Sequence, residues 1–162
     1  DLPGNPDQWD GYAANRQRLY DWWRALGLRN NIVISGDIHS SWVSELTPAP
    51  GDPTQYDPLS GRGSLGVEFV TPAATSGGEP GLDRVANAVR LLNTHIKHVD
   101  LAHHGYVLLD ITPERCRGEY WHVDPITEPT FHEFPGGGWE TRDAASTAGW
   151  NAVRKASPPP SG

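Results

Sequence analysis

A carboxylate and an imidazole stand one residue apart in the stretch Gly36-Asp-Ile-His-Ser-Ser-Trp42, directly after the apolar run Ile32-Val33-Ile34. A short β-branched run of this kind makes a buried strand, and Gly36 ends it. Side chains at Asp37 and His39 can then leave the strand end on the same side. The carboxyl edge of a sheet is where α/β proteins gather their ligands. Oxygen and nitrogen donors together suit iron, zinc or manganese. The plainer alternative is a turn in which Asp37 caps backbone amides and His39 is an ordinary surface or core histidine. The small residues Ser40 and Ser41, which let a ligand approach, and the shielding aromatic Trp42 favour the site.

A second group of polar side chains occupies residues 93–106, where His95, Lys97, His98, Asp100, His103 and His104 crowd together. The spacing matches no closed zinc site, and Cys116, the one cysteine, could not complete one. A loop lining a phosphate pocket is the better functional reading, with His95, Lys97 or His104 donating to substrate oxygens. A solvated polar loop is the alternative. The small-residue stretch Thr71-Pro-Ala-Ala-Thr-Ser-Gly-Gly78 could bring Ser76 and glycine amides near an anion, but it lacks the lysine and spacing of a P-loop. Neither a Ser-His-Asp arrangement nor a Gly-x-Ser-x-Gly elbow can be argued.

The elements that must hold these residues are legible in outline. Residues 12–28 predict a helix with Leu19, Trp22, Trp23 and Leu26 on one stripe, Asp10 as cap and Gly27 as stop. Strands are expected at 31–35, 42–46, 66–71, 106–111 and 119–123, the last two as a hairpin. A second helix is expected at 80–92, with Leu82, Val85, Val89 and Leu92 on one face. Residues 47–63 read as a surface excursion and 93–104 as a loop. Residues 125–162 read as an irregular extension and tail of the domain formed by 1–124.

Composition narrows the class. The 162 residues suffice for one modest domain, but 36% hydrophobic content is low and glycine and proline make up about a fifth of the chain. Seven tryptophans are many to cover, so some are expected to pack against something outside the chain. A net charge of −7 argues against a nucleic-acid binder using a basic face. There is no membrane-spanning run. A start at Asp-Leu-Pro without methionine fits a processed product, as would a trimmed one.

Several segments in order resemble one family. They are Asp7-Gln-Trp-Asp-Gly-Tyr12, the Gly36–Trp42 core, Val67-Glu-Phe-Val-Thr-Pro72 with Thr75-Ser-Gly-Gly78, His95-Ile-Lys97 with Asp100, and Gly105-Tyr-Val107 through Thr112-Pro-Glu114. Together they are similar to the C-terminal half of PhoD-like (alkaline phosphatase D-like) metallophosphoesterases, within which secreted actinobacterial phospholipase D and glycerophosphoethanolamine phosphodiesterase look closest. Thr94 stands where the family often has proline, and His104 where it often has arginine. The resemblance implies an α/β fold, the C-terminal half of a four-layer α/β/β/α sandwich that is not autonomous. It implies a two-metal site of ferric iron plus calcium, zinc or manganese, with Asp37 and His39 as metal ligands.

On that footing His104 and His95 are the candidate catalytic groups, and Trp42 and Lys97 the candidate substrate contacts. Two ligands cannot complete a two-metal centre. The expected partner is therefore an N-terminal chain of the same enzyme, cleaved or separate. The expected activity is hydrolysis of phosphodiesters of phospholipid or glycerophospho head groups, in a secreted protein. The alternatives are an alkaline phosphomonoesterase, or a non-catalytic secreted binding module that would expose Trp121, Trp139 and Trp150.

Overall fold

The computed structural model describes residues 7–78, 81–130, 132–147 and 151–157. Its framework is two four-stranded sheets. The first contains β1 (Asn31–Ser35), β2 (Ser41–Leu46), β3 (Gly66–Val70) and β4 (Ile96–Asp100), in the spatial order β1-β3-β2-β4. β1 runs parallel to β3, and β2 runs antiparallel to both β3 and β4. The second sheet is an antiparallel meander of β5 (His104–Ile111), β6 (Arg115–Asp124), β7 (His132–Arg142) and β8 (Val153–Ala156).

The period-two alternation of the strands builds the core between the sheets. Val43, Val67 and Phe69 from the first meet Cys116, Tyr120, Trp139 and Val153 from the second. Cys116 is thus a small buried hydrophobe. Phe69 packs against Gly118, where a Cβ would fall 2.5 Å from its ring. The Tyr120 hydroxyl crosses to the first sheet, within 2.6 Å of the Trp42 carbonyl and 3.1 Å of that of Val70.

Helices α1 (Ala13–Ala25) and α2 (Asp83–Leu92) accompany the first sheet. α1 buries Tyr20, which feels the charge of Glu68 on the sheet face turned away from the core. The arrangement is therefore mixed α/β with two sheets. The outer face of β5 exposes Tyr106, Leu108 and Asp110, and no helix covers it among the described residues. Nor is any helix among them long and apolar enough to cross a membrane.

Several expectations need correction. Asp10 does not cap α1: the N-cap is Tyr12, without a side-chain bond, and Asp10 pairs with Arg16 instead. The expected stripe of α1 is only half used, since Trp22 (59%) and Leu26 lie exposed. In α2 the covered residues are Leu82, Ala86 and Val89, and Val85 and Leu92 point outward. The 93–104 stretch is not a loop throughout, because it contains β4. Nor are residues 125–157 irregular throughout, because β7 is the longest strand among the described residues and β8 completes the second sheet. This segment is also tied back to β1. Asn30, in a left-handed conformation, bonds Asp143, Ala144 and Asn151 through its side chain and main chain.

Candidate metal and phosphate site

The strand order decides which polar residues meet. β1 and β3 end at the same edge of the first sheet, β2 begins there, and β4 ends there, with Asp100 opposite Ser41. That edge collects Asp37 and His39 from the β1–β2 turn, residues 71–78 after β3, and residues 100–104 after β4.

The β1–β2 turn is held in an uncommon shape. Asp37 and His39 both have positive φ, 75° and 54°, a region that non-glycine residues enter only when the surroundings enforce it. The enforcing contacts are local. Ile38 N–H donates to the Gly36 carbonyl at 3.0 Å. The Ser40 hydroxyl donates to the Ile38 carbonyl at 3.1 Å and accepts from Trp42 Nε1 at 2.7 Å. Trp42 thus braces the turn. Asp37 and His39 themselves stay exposed.

The Gly77–Gly78 pair lies between two imidazoles. Both glycines have positive φ (71° and 73°). A Cβ on Gly77 would lie 2.6 Å from His39 Cβ and 3.1 Å from its Nδ1. One on Gly78 would lie 2.5 Å from His104 Cε1. His104 Nε2 sits 2.8 Å from the Gly77 carbonyl oxygen, so the ring donates a hydrogen bond there when Nε2 carries the proton. Only residues without side chains fit between these rings. Ser76 is exposed on the same loop.

His95 and Lys97 are not at this edge. They start β4, beside the end of β2, where the Glu45 amide donates to the His95 carbonyl at 2.9 Å. The His95 ring lies toward Asp10 and Arg16, and burial pushes its pKa down to about 4. Its Nδ1 is buried without a hydrogen-bond partner.

Lys97 serves the core. Glu45 is 1% exposed and needs a counter-charge. Lys97 Nζ lies 3.3 Å from Glu45 Oε2 and donates to the Tyr56 hydroxyl (3.1 Å) and to the Pro58 and Thr94 carbonyls (both 3.0 Å). Tyr56 donates to the same carboxylate oxygen, and Val153 N–H to the other at 2.8 Å. The structure thus places His95 and Lys97, read from the sequence as a catalytic group and a substrate contact, at the end of β4 opposite the Asp37–His39 turn.

Two groups escaped the sequence reading. Glu68 accepts from Ser35 Oγ at 2.7 Å, and burial pushes its carboxyl up despite that bond. Its place between hydrophobic neighbours in β3 was the available signal. His122 faces inward on β6, beside His103 and Asp100. The strict alternation of β6, with Cys116, Gly118, Tyr120 and His122 all buried, was the signal there.

Residues 1–120 match the family profile of the PhoD-like phosphatases. The chain belongs to that family. It is 34% identical to alkaline phosphatase D of Bacillus subtilis (strain 168) over 125 residues, which are 76% of this chain and 20% of that protein. A solved structure of PhoD superposes on 95% of the chain and 27% of its own length, with a TM-score of 0.75 and 27% identity. The chain thus spans between a fifth and about a quarter of these PhoD relatives.

For the metals a PhoD-like site implies, Asp37 and His39 are chemically apt donors on a turn that holds them open to solvent. They fit as part of a ligand set.

Proposed function

We propose that this chain supplies one edge of the active site of a metal-dependent phosphoric ester hydrolase. Its substrates are phosphodiesters of phospholipid or glycerophospho head groups, in the manner of a phospholipase D. The observation that carries the reading is the meeting of Asp37, His39, the Gly77–Gly78 pair and His104 at one sheet edge. Asp37 and His39 hold metal, with ferric iron and a divalent ion (calcium, zinc or manganese) as the complement. When bound, such ions neutralise phosphate charge and make hydroxide available near neutral pH. His104 fixes the Gly77 carbonyl and with it the small-residue loop, whose amides offer donors to phosphate oxygens. Trp42 keeps the ligand turn in shape.

The remaining metal ligands come from polypeptide outside this chain, in our reading an N-terminal chain of the same secreted enzyme. Three observations support this. The chain corresponds to a small share of its relatives. β1 has β3 as its one strand neighbour among the described residues. The flank beside β1 and β5 leaves Ile34 (60%), Leu108 and Ile111 exposed.

A phosphomonoesterase is the second reading, favoured by the name of the Bacillus relative. Turnover of bis(nitrophenyl) phosphate against nitrophenyl phosphate by the assembled protein separates the two. His39→Ala lowers metal content and turnover together; full activity with unchanged metal rejects the assignment. The binding-module alternative loses support, because Trp139 is buried (5%) and Trp121 partly so, while Trp150 lies outside the described residues.

A further inference from the structure

Among the described residues, three metal-ligating side chains converge in one place that includes neither Asp37 nor His39. Asp100 ends β4, His103 follows it in the corner before β5, and His122 projects inward from β6. One ligating atom from each lies within 4.8 Å of the others. The His103 and His122 rings stack with centroids 4.6 Å apart and planes 10° from parallel, and Phe134 meets both edge-on.

His122 is the telling member. It is 2% exposed, yet its Nε2 is buried with no hydrogen-bond partner. A buried ring nitrogen left this way costs free energy. A side chain at Gly136 would collide with this ring edge: a Cβ there would lie 2.6 Å from Nε2.

The carboxylate is held ready as well. Asp100 Oδ1 accepts from the Ala102 and His103 amides, both at 2.9 Å, and Oδ2 lies 2.8 Å from His103 Nδ1. His103 is partly exposed, which leaves one side open to solvent.

We infer that Asp100, His103 and His122 bind one divalent first-row transition ion, zinc foremost, with solvent completing its coordination. Two imidazoles and a carboxylate select such an ion over calcium or magnesium, which prefer oxygen donors. The ion ties the end of the first sheet to β6 of the second. It also steadies the corner from which His104, the next residue, reaches the Gly77 carbonyl. This site stands on its own ligands and does not depend on the phosphate-ester reading.

The test is metal counting and cobalt spectroscopy on the protein as isolated, after chelation and re-titration with Zn2+ or Co2+. The expected result is that His103→Ala binds one equivalent fewer than the parent, or binds it at least ~10-fold more weakly. The visible band of Co2+ at that equivalent is lost in the same variant and displaced by Zn2+ in the parent. Asp37→Ala with His39→Ala retains that equivalent. His103 is partly exposed, so its removal is compatible with folding, and circular dichroism checks it; His122→Gln gives the same loss from the buried side. Unchanged stoichiometry and affinity in folded His103→Ala overturns the site, as does saturable binding that vanishes only with Asp37 and His39.

Discussion

His104 Nε2 stands 2.8 Å from the carbonyl oxygen of Gly77, a residue whose other side abuts the His39 ring. Two histidines 65 positions apart in the chain are thereby spaced by one glycine pair. The separation between a candidate metal ligand and a candidate catalytic group is set by backbone, which bends less than side chains do.

Gly77→Ala tests that spacing. Alanine at this positive φ is strained by about 1–2 kcal/mol, and its methyl presses on His39 Cβ. The expected outcome is reduced metal content and turnover with a modest fall in Tm. Elemental analysis alongside thermal melting separates the local effect from unfolding. Full metal occupancy and turnover in the variant would show that the wedge does not position His39.

Lys97→Met tests the reassignment of Lys97. Removing the ammonium leaves Glu45 buried against the Tyr56 hydroxyl and the Val153 amide alone. A loss of roughly 3–5 kcal/mol is expected for an uncompensated buried charge. Chemical denaturation measures it. Near-normal turnover in the folded fraction is expected as well, and a selective rise in KM would restore Lys97 to the substrate site.

Acid sensitivity follows from His98, stacked on Trp139 with centroids 4.0 Å apart. Burial pushes its pKa down to about 4 from an ordinary value near 6.5. Between those values the unfolded chain binds the proton and the folded one does not. The stabilising contribution is complete above about pH 6.5, shrinks as pH falls, and is gone below about 4. His98→Phe keeps the stack and removes the titration. Denaturation midpoints between pH 7 and 4 should fall less steeply in the variant, and parallel curves would refute the assignment.

Asn151→Ala probes the closing segment. It deletes bonds to the Asn30 amide (3.1 Å) and side chain (3.1 Å) from a buried position. A loss of about 2 kcal/mol is expected from the orphaned groups. An unchanged denaturation midpoint would mean that residues after 143 fold independently of β1.

How much of this was written legibly in the chain depends on what each element shows locally. β1 and β3 announce themselves because Ile32-Val33-Ile34 and Val67-Glu-Phe-Val70 are β-branched or aromatic runs bounded by glycine or proline. β4 hides because Ile96-Lys-His-Val-Asp100 puts a lysine and a histidine into a strand. Their polarity is absorbed by Glu45 and by the Trp139 ring, which are remote in sequence. β7 hides behind Gly136, Gly137 and Gly138, which read as a loop until β6 and β8 are laid beside them. The Asp37–His39 turn was legible because its chemistry is contiguous. The Asp100–His103–His122 convergence was not, since it depends on which β6 residue lies beside the β4–β5 corner.

β1 is flanked by β3 on one side only among the described strands, and it carries the Asp37–His39 turn on its carboxyl end. On the proposed reading, a strand added at that free side and a metal held by Asp37 and His39 would act on the same few torsions. Assembly and ligation would then be two handles on one equilibrium, each tightening the other by an equal factor.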